Sequence, residues 1–369
     1  MAANENLSRL HDAGVSIWLD TLSRLLLQSG EFGELIRDYS VTGATSNPTI
    51  FAKAITGSDL YDQQLRRLSA EGVRDPQELF FSLALDDVRE AARLLEDEYE
   101  RSDGGDGFIS FECTPDLADD TAATIAQAVD LWQRLDRPNV MIKVPGTEAG
   151  LPAIEELTRR GVNVNITLLF SVERYEQVID AYLRGLTARA EAGDPVDTVT
   201  SVASFFLSRI DSKVDPELPD GSVLRGQVAI ASARVAYQRF LARFKGPEWE
   251  RLETRGAKRQ RPLWASTGTK DPSYSDVLYV SELIGPAVVN TMPEQTLRAF
   301  GDHGEITATL DADPEAARAR LAEAAAAGID LPAVTSELER AGVRAFCDSY
   351  HQLLECIESK LGALAASQA

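Results

Sequence analysis

Histidine and cysteine are scarce in this chain, with three of each in 369 residues. His11, His303 and His351 are far apart and sit beside no cysteine or paired carboxylate at ligand spacing, so a zinc-dependent mechanism and a metal site are not expected. Cys113, Cys347 and Cys356 form no CxxC pair. An odd, scattered trio points to a reducing compartment, taken as the cytoplasm, and to no disulfide framework. Long hydrophobic runs are missing: no segment reaches membrane-spanning length, and residues 1–14 carry no basic-then-apolar leader. Basic residues are outnumbered, 37 against 58 acidic, for a net charge of −21. Nucleic acid and anionic membranes are therefore not expected partners. Any anionic substrate needs a locally basic pocket. No GxGxxG follows any strand-like run, which weakens a dinucleotide-binding reading, and no cofactor is expected. Low-complexity linkers and internal repeats are also absent, so residues 1–369 read as one domain.

What is present is alternation. With 44% hydrophobic residues the chain can build a large core. Short, β-branched runs bounded by turn residues predict strands over residues 15–20, 41–48, 107–113, 140–145, 162–170, 196–206, 262–267 and 287–292. Helical periodicity predicts helices over 4–13, 22–39 (interrupted by Gly30 and Gly33), 58–70, 76–101, 117–135, 148–160, 173–191, 224–245, 275–284, 294–300, 314–327 and 331–366. Residues 209–220 read as a loop ending in a turn. Eight strands alternating with helices fit an α/β fold, a (β/α)8 TIM barrel with additional N- and C-terminal helices, better than two Rossmann halves.

The segment around residue 143 is unusual. In the fourth strand Val140, Ile142 and Val144 share one face, and Met141 and Lys143 the other. A buried lysine is costly unless paired or neutral. It is either a side chain snorkelling from a strand end or an amine made neutral by desolvation and ready to attack a carbonyl. Its company argues for the second. Asp20, Asn47, Glu112, Lys143, Thr167 and Ser204 lie late in six different strands, at the end where barrel active sites are built. Barrel interiors are normally filled by branched apolar side chains, so six converging polar residues are hard to explain as solvated strand ends.

These motifs resemble the transaldolase family. Thr42-Gly43-Ala44-Thr45-Ser46-Asn47-Pro48-Thr49-Ile50-Phe51 is similar to its N-terminal signature. Ile142-Lys143-Val144-Pro145 followed by Thr147-Glu148 and Gly150 is similar to its Schiff-base segment, and residues 163–171 (NVNITLLFS) to the strand that follows. The resemblance covers residues 15–209 with all motifs in order and is looser beyond. It implies a (β/α)8 barrel that moves a dihydroxyacetone unit between phosphorylated sugars, in the non-oxidative pentose phosphate pathway, through a Schiff base on a fourth-strand lysine.

On that resemblance Lys143 is the iminium-forming residue. Asp20 takes the proton from the substrate's C4 hydroxyl, and Glu112 acts through a water, with Thr167, on the carbinolamine. Asn47 and Asn165 bind substrate hydroxyls, Ser204 the C1 hydroxyl, and Phe206 forms an apolar wall. Arg209 anchors a phosphate through its guanidinium fork. The family often has a second arginine after an Ala-Ser pair on the seventh strand. Here Ala265-Ser266 leads to Thr267-Gly268-Thr269-Lys270, so Ser266 and Lys270 are the substitutes. Structural roles compete. Asp20 could be a helix N-cap, Glu112 an ordinary strand-end carboxylate, Asn47 a turn residue before Pro48, Phe206 core and Arg209 a surface partner of Asp211.

An iminium supplies an electron sink for aldol cleavage without a metal ion. The expected activity is a transferase. Alternatives are a fructose 6-phosphate aldolase-type lyase, whose members tend to have glutamine and tyrosine at the positions of Glu112 and Phe206, and a non-catalytic sugar-phosphate sensor. Phosphorylated sugars are the expected partners, for a monomer or homodimer. Residues 331–366 could be a docked helix or a dimer contact, and the basic residues Arg255, Lys258, Arg259 and Arg261 have no assigned role.

Overall fold

In the computed structural model, which describes residues 3–366, eight parallel strands close into a barrel in sequence order. They are β1 (Val15–Leu19), β2 (Val41–Thr45), β3 (Phe108–Glu112), β4 (Val140–Pro145), β5 (Val164–Leu169), β6 (Ser201–Phe206), β7 (Arg261–Ala265) and β8 (Val288–Met292). β8 pairs back onto β1, with Val15 opposite Val288 and Leu19 opposite Met292. The fold is a (β/α)8 barrel with extra helices. Among the described residues no helix is long and apolar enough to cross a membrane.

The two faces of each strand do different work. Ile17, Ile109, Ile142, Val164, Ile166, Phe205 and Trp264 are buried in the hydrophobic layer between strands and helices. The opposite side chains point inward and form tiers. At the N-terminal end Arg261 donates to Ser16 Oγ (2.6 Å) and lies 3.8 Å from Asp106, which also accepts from Trp18 Nε1 (2.9 Å). Trp18 fills the middle tier beside Phe108, with ring centroids 6.4 Å apart. This is possible because β2 carries Gly43 there: a Cβ would lie 2.5 Å from Trp18 Nε1. The upper tier is polar and belongs to the site.

Several expected elements differ. Strand six begins at Ser201, not residue 196. Residues 196–199 instead close a turn (Val199 N to Val196 O, 3.3 Å), and the Thr200 N–H goes to Asn163 Oδ1 (2.8 Å) while the Thr200 carbonyl accepts from Val164 N (3.3 Å). The helix over 22–39 is two helices, Arg24–Gln28 and Glu31–Asp38, broken at Gly30 with φ +85°, while Gly33 is helical. A helix at Pro48–Thr56 lies outside the expected elements. Its proline occupies the first turn and Asn47 caps it, a start signal masked by its adjacency to a strand.

Residues 209–220 are not a loop. Helix Ser208–Val214 runs into a 3₁₀ turn, Asp215–Glu217, and Leu207, Ile210 and Val214 are buried at helical spacing. Residues 224–245 form helix only over Val228–Arg243. A separate helix, Pro247–Glu253, fills the following connection, and residues 275–284 keep one turn, Leu278–Ser281. Arg255 donates to Ala190 O, Arg259 to Glu253 and Arg261 into the barrel, so three of the four basic residues there are structural ties.

Helix Leu331–Ala366 docks on its own chain. Val334, Phe346, Tyr350, Leu353 and Ile357 are buried. Lys360 reaches Asp62 (2.9 Å) and Ile55 O (2.9 Å).

The Trp18–Gly43 fit yields a test. Gly43→Ala forces the indole to shift and costs roughly 1–3 kcal/mol by overpacking. A lowered midpoint in denaturant unfolding is expected, and an unchanged one would contradict the tiered packing.

Candidate active site

The C-terminal ends of the strands surround a cavity of about 190 Å³. Its wall includes Asp20, Asn47, Lys143, Thr167, Ser204, Phe206, Arg209, Ser266 and Lys270. Parallel register produces this convergence. Glu112 pairs with Lys143 across β3 and β4, Lys143 with Asn165 across β4 and β5, and Pro145 with Thr167.

Lys143 is 6% exposed and Glu112 8%. The Lys143 ammonium lies 3.7 Å from Glu112 Oε2 and donates to Ser46 O at 3.0 Å. At 3.7 Å the carboxylate is an ion-pair partner rather than a hydrogen-bond acceptor. Glu112 Oε2 and Thr167 Oγ1 are buried without a hydrogen-bond partner among the described residues. Such atoms are rare in folded proteins; Thr167 lines the cavity, whereas Glu112 does not.

Asp20 lies just beyond the end of β1. Its Oδ1 accepts from Thr45 Oγ1 (2.9 Å), and Thr45 in turn is 3.0 Å from Thr291 Oγ1. Asp20 is no helix cap: Ser23 caps the helix that follows. Burial raises the Asp20 carboxyl above its ordinary value, opposed by Lys143, the Thr45 hydrogen bond, Arg209 and Lys270. Asn47 does two things. Its Oδ1 caps helix Pro48–Thr56 through Ile50 N (3.1 Å), while the side chain lines the cavity.

Asn165 sits behind the wall, fully buried. It donates to Ser110 Oγ (2.9 Å) and accepts from Ser204 Oγ (2.7 Å), so it holds Ser204 rather than facing the cavity. Glu112 likewise stands behind Lys143, in contact with two small voids outside the main cavity. Arg209 does not pair with Asp211, whose carboxylate accepts from Tyr279 Oη (2.8 Å) and Ala229 N (2.9 Å). Ser266 bonds Ser208 (2.8 Å), and Lys270 is exposed at the rim.

Two positions near the wall are strained, one at an irregularity within β5 and one just after β7. Leu168, following Thr167, and Ser266 adopt φ of 61° and 55°, a region that costs an L-residue roughly 1–2 kcal/mol. Such strain persists where the surroundings over-determine the backbone, and it marks functional sites. Among the described residues no three histidine, cysteine, aspartate or glutamate side chains are grouped to hold a metal ion.

The family model for transaldolase/fructose-6-phosphate aldolase matches residues 17–357. The chain belongs to this family. A protein named transaldolase from Parafrankia sp. (strain EAN1pec) is 49% identical over 98% of this chain and 99% of its own length. Relatives of the same name from Mycolicibacterium smegmatis and Thermobifida fusca are 48% and 47% identical, each covering at least 97% of this chain and 98% of their own. The family match extends well past residue 209, where the visible motifs thin out.

Thr45, Thr291, Pro293 and Phe346 also line the cavity and were not among the candidates the sequence offered. Thr45 and Thr291 were legible in principle, as polar positions late in β2 and β8. Phe346, which also lines the cavity, comes from the C-terminal helix with no local signal.

The electrostatics make a pH prediction. Burial pushes the Glu112 carboxyl up to about 7, with Asp20 adding to the rise and Lys143 opposing it. The folded protein therefore keeps a proton there that the unfolded chain loses near pH 4.5. The stabilisation is complete below pH 4.5 and lost as pH rises through about 7. Asp211, pushed to about 7 by burial, contributes with the same sign. In Glu112→Gln the first contribution vanishes, so stability should fall less steeply across this window, by at most about 1.4 kcal/mol per pH unit. Parallel stability curves for the two proteins would contradict the assignment.

Proposed function

We propose that the protein is a transaldolase that moves a dihydroxyacetone unit from sedoheptulose 7-phosphate to glyceraldehyde 3-phosphate, giving erythrose 4-phosphate and fructose 6-phosphate, and the reverse. The observation that carries this is the buried Lys143 amine at the end of β4, 3.7 Å from Glu112 and sharing one cavity with Asp20, Arg209 and Lys270. A nucleophile, acid–base groups and cations for a phosphate thus occupy one concave site.

In this reading the Lys143 nitrogen attacks the C2 carbonyl of the ketose. The carbinolamine loses water, with Glu112 and Thr167 moving protons through a water molecule, and leaves an iminium. Asp20 takes the C4 hydroxyl proton. The C3–C4 bond breaks, its electron pair enters the iminium to give an enamine, and the aldehyde departs. Running the steps backwards on a second aldehyde completes the transfer. The covalent bond to Lys143 is what retains the three-carbon unit, which has no phosphate of its own. Ser204, Asn47 and, through Ser204, Asn165 orient hydroxyls, while Phe206 closes the apolar side. Arg209 binds the phosphate, with Ser266 and Lys270 in support. The chain acts as one cytoplasmic catalytic unit, monomeric or homodimeric, in the non-oxidative pentose phosphate pathway.

The second reading is the lyase, because the matched family includes fructose-6-phosphate aldolase. One assay separates them. With fructose 6-phosphate as donor, glyceraldehyde 3-phosphate release should depend on added erythrose 4-phosphate. Release without acceptor, with free dihydroxyacetone, would favour the lyase. Lys143→Ala should lower the rate by roughly 10³-fold or more. Asp20→Asn should lower it by roughly 10²- to 10⁴-fold while still forming the iminium. Near-wild-type turnover in either variant would contradict the assigned roles.

A further inference from the structure

Helix Leu331–Ala366 brings one aromatic side chain, Phe346, into the cavity wall. The Arg209 guanidinium carbon lies 5.3 Å from the Phe206 ring centroid and 5.9 Å from that of Phe346. Among the described residues that guanidinium makes no hydrogen bond and no ion pair; the two rings flank it, and the Asp20 carboxylate attracts it from farther off. Arginine faces aromatic rings favourably, and most strongly where water is thinned out.

The helix is held in this place. A Cβ at Gly342 would meet Leu168 Cδ2 at 2.9 Å and the Phe170 ring at 3.7 Å, so the helix lies directly against the strained end of β5. Glu339 faces Arg174 at 3.5 Å, Ser349 accepts from Thr49 Oγ1 at 2.9 Å and His351 reaches Asp116 at 2.9 Å. Phe170 stacks obliquely on Phe206 with centroids 5.6 Å apart, which fixes the other ring.

We infer that Phe346 is a positioning residue for the anionic end of the substrate. It holds the Arg209 fork open to a terminal phosphate, and through Arg209 it favours phosphorylated over unphosphorylated donors. This rests on the reading of Arg209 as the phosphate anchor. An arginine not fixed in this way must lose side-chain freedom when phosphate binds, and that loss appears as weaker binding.

The test compares two donors that differ only in the phosphate. For Phe346→Ala the KM for fructose 6-phosphate should rise roughly 5- to 30-fold, with kcat within about twofold. The rate of borohydride trapping with fructose should stay at the wild-type value. Phe346→Leu keeps the apolar bulk without the π-face, should show most of the same split, and carries the test if the alanine variant does not fold. In an Arg209→Gln background, Phe346→Ala should cause no further rise in KM, as expected for two residues acting as one unit. Equal losses with both donors would overturn the inference in favour of plain packing, and so would an unchanged KM. If wild-type protein traps neither sugar, the proposed function fails first, and this inference falls with it.

Discussion

Lys143 is an amine buried inside a barrel, and the rest of the site answers that fact. An ammonium in a low-dielectric interior must be paired, solvated or neutralised. Glu112 stands at 3.7 Å and Ser46 O at 3.0 Å, near enough to tolerate the charge. The same burial drives the Glu112 and Asp20 carboxyls upward, away from their ordinary values. Desolvation thus raises both carboxyls, and Glu112, pushed up to about 7, can hold or release a proton near neutrality, as acid–base chemistry requires. The remaining cations, Arg209 and Lys270, stand toward the mouth. They give an acidic protein of net charge −21 a local place for an anion.

The barrel was legible because its signals are local. Residues 140–145 and 163–167 alternate cleanly, and alternation with period two fixes which side chains meet inside a barrel. Lys143 and Thr167 therefore read from the sequence as facing one interior, and both line the cavity. Three kinds of information were not local. The start of β6 depends on Asn163, just ahead of β5, whose side chain takes the Thr200 N–H. Helix Ser208–Val214 is stabilised by burying Leu207, Ile210 and Val214 against neighbours that a single segment does not reveal. Asn165 reads as a cavity residue from its register, yet Ser110 and Ser204 occupy its amide from both sides. Spacing gives a side chain's direction, not which partner reaches it first.

Phe346 is the extreme case. It lies about 140 positions in sequence from Arg209, the guanidinium it faces, on a helix whose apolar face fits docking or dimerisation equally well. Only the folded chain shows that the helix packs on its own barrel and reaches the cavity. The division of labour is physical. Strands hold the reacting groups rigidly, because ladder hydrogen bonds on both sides over-determine their backbones. Ser266, strained just after β7, and the C-terminal helix shape the mouth of the cavity.

The central claim, that Lys143 forms the covalent bond to substrate, is tested most directly by borohydride reduction in the presence of fructose 6-phosphate, followed by intact-mass and peptide mass spectrometry. The account predicts one reduced dihydroxyacetone adduct per chain, on the peptide containing Lys143. No adduct, or an adduct on a different lysine, would contradict it.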